Sequence, residues 1–518
     1  MTTPAVPHSL HAVKNFGSNA ADADRLLKTC FERHPVYDSV LNGDTYLVLG
    51  RKGAGKTAIF SKITEDFDPT KSFAAALSYS DYQWAHHALQ AEAGAQQQLR
   101  FRASWRYLLL LTLASAIVGR SGSAGDMSGA VWEATTALEN FLVDSYGSAN
   151  PSFTTVFAPT RRLDLSGTLG SSHFGKLTVK SVEMSHLPVH FNEVNAAMQA
   201  AVFTASDPEV SYYICFDELD LGFNPDDKDY ADQLSGLILA ARGLFLAARK
   251  AGRAIYPVVF LRDDIFARIQ FEDKNKADDE SVTLHWDYED APVTLRSLME
   301  SRFREELGTD SKPDVAWGDV FDESELTRGS KPKYTFMLDR TLLRPRDVIK
   351  FCNESLAAYK KDPAGAGLIA NKHLYEARNA YSKYLLKEFR DEIHKQMPEH
   401  ETATSILQRI GLTTFSRVEF VAAAKQQKLD EPAAEAMLRS LFDFSIIGVR
   451  RVGGPKSGSG WVWKYLDPEA TFTANEQQIK VHPGLKEALL LKEPREKLGP
   501  GSSIDAEVLV GADDGDED

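Results

Sequence analysis

The chain has 518 residues, 43% of them hydrophobic and 25% charged, with a net charge of −14. Such values predict a soluble globular protein of about three domains and exclude a surface that is basic throughout and coats nucleic acid. Cys30, Cys215 and Cys352 stand far apart in apolar runs without metal-ligand spacing, which points to packing roles in a reducing compartment. The N-terminal stretch carries no apolar signal core. The longest apolar run, Tyr107 to Val118, is too short to cross a bilayer. A cytoplasmic protein with no membrane anchor is expected.

In chain order, residues 1–19 are irregular and Ala20 to Arg33 predicts a short helix. Tyr46 to Leu49 are apolar and β-favouring and predict a buried strand. Directly after it stands Gly50-Arg51-Lys52-Gly53-Ala54-Gly55-Lys56-Thr57, a complete G-x-x-x-x-G-K-[ST] motif. From Thr57 onward apolar residues recur at helical spacing. A strand, a glycine-rich turn and a helix N-terminus make an anion site, because backbone N–H groups converge there and the helix dipole adds to them. Gly50, Gly53 and Gly55 permit close approach of the backbone to phosphate. Lys56 is expected on the β- and γ-phosphates of ATP, and Thr57 on Mg²⁺.

Ser72 to Leu77 predicts a second strand, and residues 81–145 read as helical. Residues 146–190 mix Gly, Ser and Pro with β-favouring pieces such as Lys176 to Val182. His86 and His87 have no metal spacing, so core or surface is their default. Phe191 to Thr204 predicts a helix. Tyr212 to Phe216 is apolar on both faces and predicts a central strand. It runs into Asp217-Glu218. Asp217 is expected to hold the metal through water, and Glu218 to polarise the attacking water; the bland alternative is an exposed acidic pair ending a strand. A glutamate directly after the metal aspartate points to the hydrolytic branch of P-loop proteins, with an extra strand between those of Leu49 and Asp217. Asp220 is read as a cap. Asp229 to Ala251 predicts a long helix and Tyr256 to Leu261 another buried strand, ending in Arg262-Asp263-Asp264. Arg262 could sense a γ-phosphate or simply pair with one of its aspartates.

Residues 270–333 are charged and loop-rich around Val282 to Trp286 and a helix from Val293 to Leu307. Arg302 and Arg304 on that helix are weak candidates for an arginine finger acting in trans. Leu343 to Tyr359 and Asn371 to Met397 predict a helical lid, with Pro345 setting a helix start. Arg344 or Arg346 could reach phosphates from it, or pair with Asp347. Ile406 to Tyr465 reads as helices followed by a hairpin, Ile446 to Val452 and Trp461 to Tyr465, around a glycine-rich tip; that order suggests a winged helix. Its candidate recognition helix, Pro432 to Phe444, offers one arginine, Arg439, against Glu435 and Asp443. Arg450, Arg451 and Lys456 of the wing suit phosphate contact. Weak or no sequence-specific DNA binding follows. Ala506 to Asp518 holds six acidic residues and reads as a solvated, disordered tail.

The segments GRKGAGKTAIF, ICFDELD, FLRDDIFARIQFEDKNK followed by LHW, and LRPRDVIKFCNE occur in this order. Together they resemble the bacterial P-loop ATPases labelled FunZ, relatives of the AAA+ and STAND signalling ATPases often encoded near phage-defence genes. The resemblance covers roughly residues 15–490. It implies an α/β P-loop NTPase of the AAA+/STAND-like ASCE type with a parallel sheet, a helical lid and a C-terminal winged helix. It also implies Arg262 as γ-phosphate sensor and Pro345-Arg346 as the lid contact. The chain departs from it in the 80–190 interruption and the acidic tail.

The expected organisation is an ATPase core over 1–342 with a largely helical insertion at about 80–190, a lid over 343–397, a winged helix over 398–490 and the tail over 491–518. The expected activity is Mg²⁺-dependent ATP hydrolysis driving a molecular switch in defence or stress signalling. Alternatives are a DNA-binding loader and a nucleotide-gated scaffold that hardly hydrolyses. Expected partners are ATP, a second copy of this chain and an effector protein encoded nearby.

Overall fold

The computed structural model describes residues 10–494 apart from 79–83, 92–98, 122–128, 153–155, 159–160, 165–180, 225–226, 287–290, 311, 363–366, 452–459 and 474–475. Lys176 to Lys180, the glycine-rich tip with Lys456, and the acidic tail lie outside the described residues. The chain divides into two compact units, Arg33–Leu284 and Met1–Glu32 with His285–Asp518.

The first unit is α/β. Its strands β1 (Leu47–Leu49), β2 (Ser72–Ser78), β5 (Ser211–Asp217), β6 (Ile255–Leu261) and β7 (Ser281–Thr283) form one sheet in the order β2-β5-β6-β1-β7. Every pairing in it is parallel. β1, β5 and β6 are almost wholly buried, as their unbroken apolar runs require of strands covered on both faces. One strand, β6, stands between β1 and β5. β7 was not legible as a strand. It is three residues long, half-buried and at the sheet edge, so it lacks the apolar run that marks its neighbours.

Helices α1 (Pro35–Leu41), α2 (Lys56–Glu65), α7 (Lys228–Lys250), α8 (Asp263–Arg268) and α9 (Lys274–Asp279) belong to the same unit. So does the material between β2 and β5: α3 (Trp84–Ala88), α4 (Arg102–Ser121), α5 (Gly129–Tyr146), a small antiparallel ribbon of β3 (Arg162–Asp164) and β4 (Ser181–Glu183), and α6 (Leu187–Ala205). α4 packs against α5, α6 and α7, so the insertion shares one apolar core with the sheet. Trp105 anchors it: its indole N–H donates to the Gln233 carbonyl at 2.8 Å, and its ring meets Phe216 of β5 edge-on. Gly236 of α7 allows the close approach, since a Cβ there would lie 2.8 Å from Phe101 Cβ. Among the described residues one helix, α7, is long and apolar enough to cross a membrane, and 67% of its apolar window is buried inside the protein, as a core helix is.

In the second unit the N-terminal residues pack against α10 (Leu295–Leu307) and α12 (Pro345–Lys361). Phe16 meets Phe303 at 4.7 Å, and Asn353 bonds the backbone on both sides of the Phe16–Gly17 peptide. The helix predicted over Ala20 to Arg33 is absent; a single 3-10 turn, Ala21–Ala23, stands there. Asp24 accepts N–H bonds from Ser18 and Leu26 and pairs with Arg302 at 2.6 Å, which offers the backbone a local alternative to helix. The first α-helix begins instead at Pro35, with His34 as cap. α11 (Lys333–Leu338), α12 and α13 (Asn371–Ile393) follow α10 as a helical cluster. Then come α14 (His400–Ile410), β8 (Thr414–Ser416), α15 (Arg417–Gln426), α16 (Glu431–Asp443), β9 (Ile447–Arg451), β10 (Gly460–Val462) and β11 (Gln478–Val481). The last four strands make an antiparallel sheet ordered β10-β9-β11-β8. The β9–β10 hairpin stands where the sequence predicts one, whereas β8 and β11 are short strands with long-range pairing that carry no local signal.

Candidate functional site

The site is built at the carboxyl ends of β1, β5 and β6, where parallel α/β sheets bind their ligands. β1 ends at Leu49, and the chain turns through Gly50 to Gly55 into α2. Gly53 and Gly55 have φ of +81° and +106°, in the left-handed region where a side chain is strained. Gly50 is needed for space: a Cβ there would lie 3.3 Å from Leu284 Cβ and 3.4 Å from the Leu284 carbonyl oxygen. The loop is tightened by the Ala54 N–H bond to the Arg51 carbonyl at 3.1 Å.

Lys56, the first residue of α2, is buried. Its Nζ donates to the carbonyls of Gly50 at 2.7 Å and Arg51 at 3.1 Å. Burial pushes its pKa below the ordinary lysine value, against the pull of Asp217, Asp263 and Asp220. Its hydrogen bonds go to neutral carbonyls and burial outweighs the pull of the carboxylates, so an anion brought to the loop would gain from it. Arg51 and Lys52 are half-exposed on the loop, and Ala54 is buried.

Asp217 closes β5, two strands from β1. Its carboxyl accepts hydrogen bonds from the Thr57 side chain and the Glu218 N–H. The carboxylate is only 4% exposed, and its Oδ2 is buried without a hydrogen-bond partner. Burial raises its pKa, and the two hydrogen bonds and Lys56 oppose that rise. A buried carboxylate with one unused oxygen beside a hydroxyl is a donor set fit for a hard divalent cation that takes its remaining ligands from phosphate and water. Glu218 is exposed and turns the chain out of the strand with φ +60°, a left-handed conformation uncommon for a residue with a Cβ.

Arg262 follows β6. It is buried and clamps Asp264 with two parallel bonds, Nε to Oδ1 at 2.9 Å and Nη2 to Oδ2 at 2.7 Å; Nη1 reaches Asp220 at 3.4 Å. Asp220, expected as a loop cap, is therefore a partner of this arginine. Asp263 was missed as a site residue. Burial raises its carboxyl, while Arg51 and then Lys56 lower it, so it belongs to the charge environment of the loop. The only sequence signal for it was an acidic residue at the end of a buried strand.

The arginines proposed from other segments belong to the second unit. Arg302 forms a buried pair with Asp24, both side chains 3% exposed, which removes it as an arginine finger because breaking a buried pair strands a charge. Arg344 is not a surface residue. It is 2% exposed and bonds Asp347 twice, at 2.8 and 3.0 Å, and Glu392 at 3.3 Å. Arg346 donates to Glu388 at 2.6 Å, pinning α12 to α13. Cys30, Cys215 and Cys352 are free and buried, as packing residues are.

A curated relative, a putative transposon gamma-delta 80.3 kDa protein of Escherichia coli (strain K12), is 23% identical over 496 residues; these cover 90% of this chain and 66% of the relative. The chain thus spans just under two thirds of that protein's length. A family model described as the FunZ-associated C-terminal helical domain matches residues 293–390, the stretch from the start of α10 through most of α13. A FunZ-associated C-terminal helical domain is therefore present in this chain.

Proposed function

We propose that this protein is a Mg²⁺-dependent P-loop ATPase that works as a nucleotide-driven switch. The observation that carries the reading is the meeting of three groups at the strand ends: a buried Lys56 hydrogen-bonded to loop carbonyls, and Thr57 bonded to Asp217, whose second oxygen is unused. The backbone N–H groups of residues 50–57 and Lys56 would take the phosphates. Thr57 and Asp217 would hold Mg²⁺, which when bound neutralises phosphate charge. Glu218, exposed beside Asp217, is the candidate to accept the proton of the attacking water. Arg262 would report the γ-phosphate by leaving Asp264 for it, so the sensor and the ion-pair readings of this arginine describe two states of one residue.

The position of β6 between β1 and β5 supports the hydrolytic branch of P-loop proteins, and the helices and antiparallel sheet of residues 400–481 support a winged helix. The second copy of the chain and the effector protein expected from the resemblance remain proposals for what the switch engages. The relative's name places that protein on a transposon, which favours a role with mobile DNA as the second reading. Against sequence-specific duplex recognition, Arg417 of α15 pairs with Glu435 of α16 at 2.6 Å. Arg450 bonds Gln478 and Arg451 bonds Thr471 and Glu476, so the basic groups are engaged within the protein.

The test is nucleotide binding by calorimetry and phosphate release, with Mg²⁺, for the wild type and Lys56→Ala. The expected result is loss of ATP binding in a variant that keeps its circular dichroism spectrum. Unchanged ATP affinity in that variant would overturn the assignment.

A further inference from the structure

The segment 293–390 carries 18 lysines and arginines against 15 aspartates and glutamates, a balance of +3 within a chain of −14. Part of that excess is gathered into a strip that alternates cations with aromatic rings. The Arg328 and Arg378 guanidinium groups lie 5.3 and 5.2 Å from the Tyr375 ring centre. Tyr375 meets Phe336 edge-on at 5.7 Å, and the Arg340 guanidinium lies 3.6 Å from the Phe336 ring centre. Beyond it Lys480 of β11 lies 5.6 Å from the Trp461 ring of β10. Burial and then the neighbouring charges, Lys331 and Arg340 among them, act on Lys480, whose pKa is lowered. Acids also enter the strip: Asp339 pairs with Lys331, Glu487 with Arg378, and Glu493 lies near Lys480. Arg328 and Lys331 are exposed, Tyr375 and Trp461 are half-exposed, and Phe336 is buried, so it supports Tyr375 and leaves the stacking faces to Tyr375 and Trp461.

Cations spaced between half-exposed rings are what a single nucleic-acid strand needs: phosphates take the charges, and bases stack on rings and guanidinium planes. A duplex hides its bases from such rings. A preference for RNA needs groups that bond a 2′-hydroxyl, which cations and rings do not supply. We propose that this strip, centred on Tyr375, binds single-stranded DNA without sequence preference. The strip reaches the wing, where Trp461 of β10 stands opposite Arg450 of β9.

The test is fluorescence anisotropy of the full chain, without nucleotide, on a labelled mixed-sequence DNA 20-mer, its duplex and the matching RNA strand, at two salt concentrations. The single DNA strand should bind better than the duplex and at least as well as the RNA strand, with affinity falling steeply as salt rises. Arg328→Gln with Lys331→Gln, both at exposed positions, should raise Kd about tenfold. They should also cut the salt slope by about 1.4, since each lost phosphate contact removes roughly 0.7 on a single strand. Tyr375→Leu should weaken binding about fivefold or more with the slope unchanged, and Tyr375→Phe, which keeps the ring, should bind as the wild type does. Any of four results would overturn the proposal: no binding of the DNA strand at low salt, equal affinity in the charge and ring variants, tighter binding of duplex or RNA, or full displacement by polyglutamate at matched charge.

Discussion

Glu218 offers a test in which stability and activity should move in different directions. Its backbone sits at φ +60° although it has a side chain, and the residue is exposed. The left-handed conformation costs a non-glycine residue roughly 1–2 kcal/mol. Glycine removes that cost but adds about 0.4–1 kcal/mol of unfolded-state entropy. At an ordinary exposed position the alanine variant is the more stable of the two. At 218 the order should reverse, with Glu218→Gly more stable than Glu218→Ala by about 0.5–1 kcal/mol, a shift on the order of 2 °C in a unit of this size. Both variants, and Glu218→Gln, lack the carboxylate and should hydrolyse ATP about 10²-fold or more slowly while still binding it. Urea unfolding read by fluorescence and phosphate release under saturating ATP measure the two quantities on the same samples. If the alanine variant proves the more stable, no strain is stored there. If Glu218→Gly turns over ATP at the wild-type rate, the base lies elsewhere and the non-hydrolysing scaffold becomes the better reading.

Arg262→Ala should erase the preference for ATP over ADP while leaving ADP affinity nearly intact, measured by calorimetry with both nucleotides; equal losses would show that the arginine only pairs with Asp264 and Asp220. A pH effect is expected from His87, which is fully buried among Phe101, Trp105 and Phe157 and held at 2.7 Å from Ser104 Oγ. Because Ser104 donates its proton to the Phe101 carbonyl, the His87 Nε2–H is the donor in this pair. Burial lowers the pKa of His87 from 6.5 to about 3. Between those values the unfolded chain holds more protons, so stability falls as pH falls, by about 2 kcal/mol from neutrality to about pH 5. His87→Gln should flatten that limb of a urea-midpoint profile, and an unchanged limb would assign it to other groups. Selection of the full chain on a random duplex pool at physiological salt should enrich no defined site; enrichment of one would raise the loader reading above the switch.

Much of the site was legible because its signals are local. The spacing of the glycine-rich loop, the unbroken apolar runs of β1, β5 and β6, and the acidic pair after β5 each lie within a few consecutive residues, where composition and periodicity speak directly. The left-handed φ of Gly53 and Gly55 is a property of single residues, whereas the space that Gly50 leaves for Leu284 depends on a residue far away in sequence. What the residue string could not decide was which partner each charged side chain takes. Arg302 finds Asp24 across 278 positions of sequence, and Arg344 finds Glu392 across 48. Nothing in the neighbourhood of either arginine distinguishes it from an exposed one. The edge strand β7 and the strands β8 and β11 are three or four residues long. They become strands only because a neighbour far away in sequence supplies their hydrogen bonds. The residues before Pro35 read as helix by propensity, and a carboxylate captured by a distant arginine overrode it. The local chemistry of Gly50 to Thr57 was determined by the sequence alone. The tertiary fold decided that Asp217, Asp263 and Arg262 share its surroundings, because parallel strands align their carboxyl ends through hydrogen bonds that no short window of sequence contains.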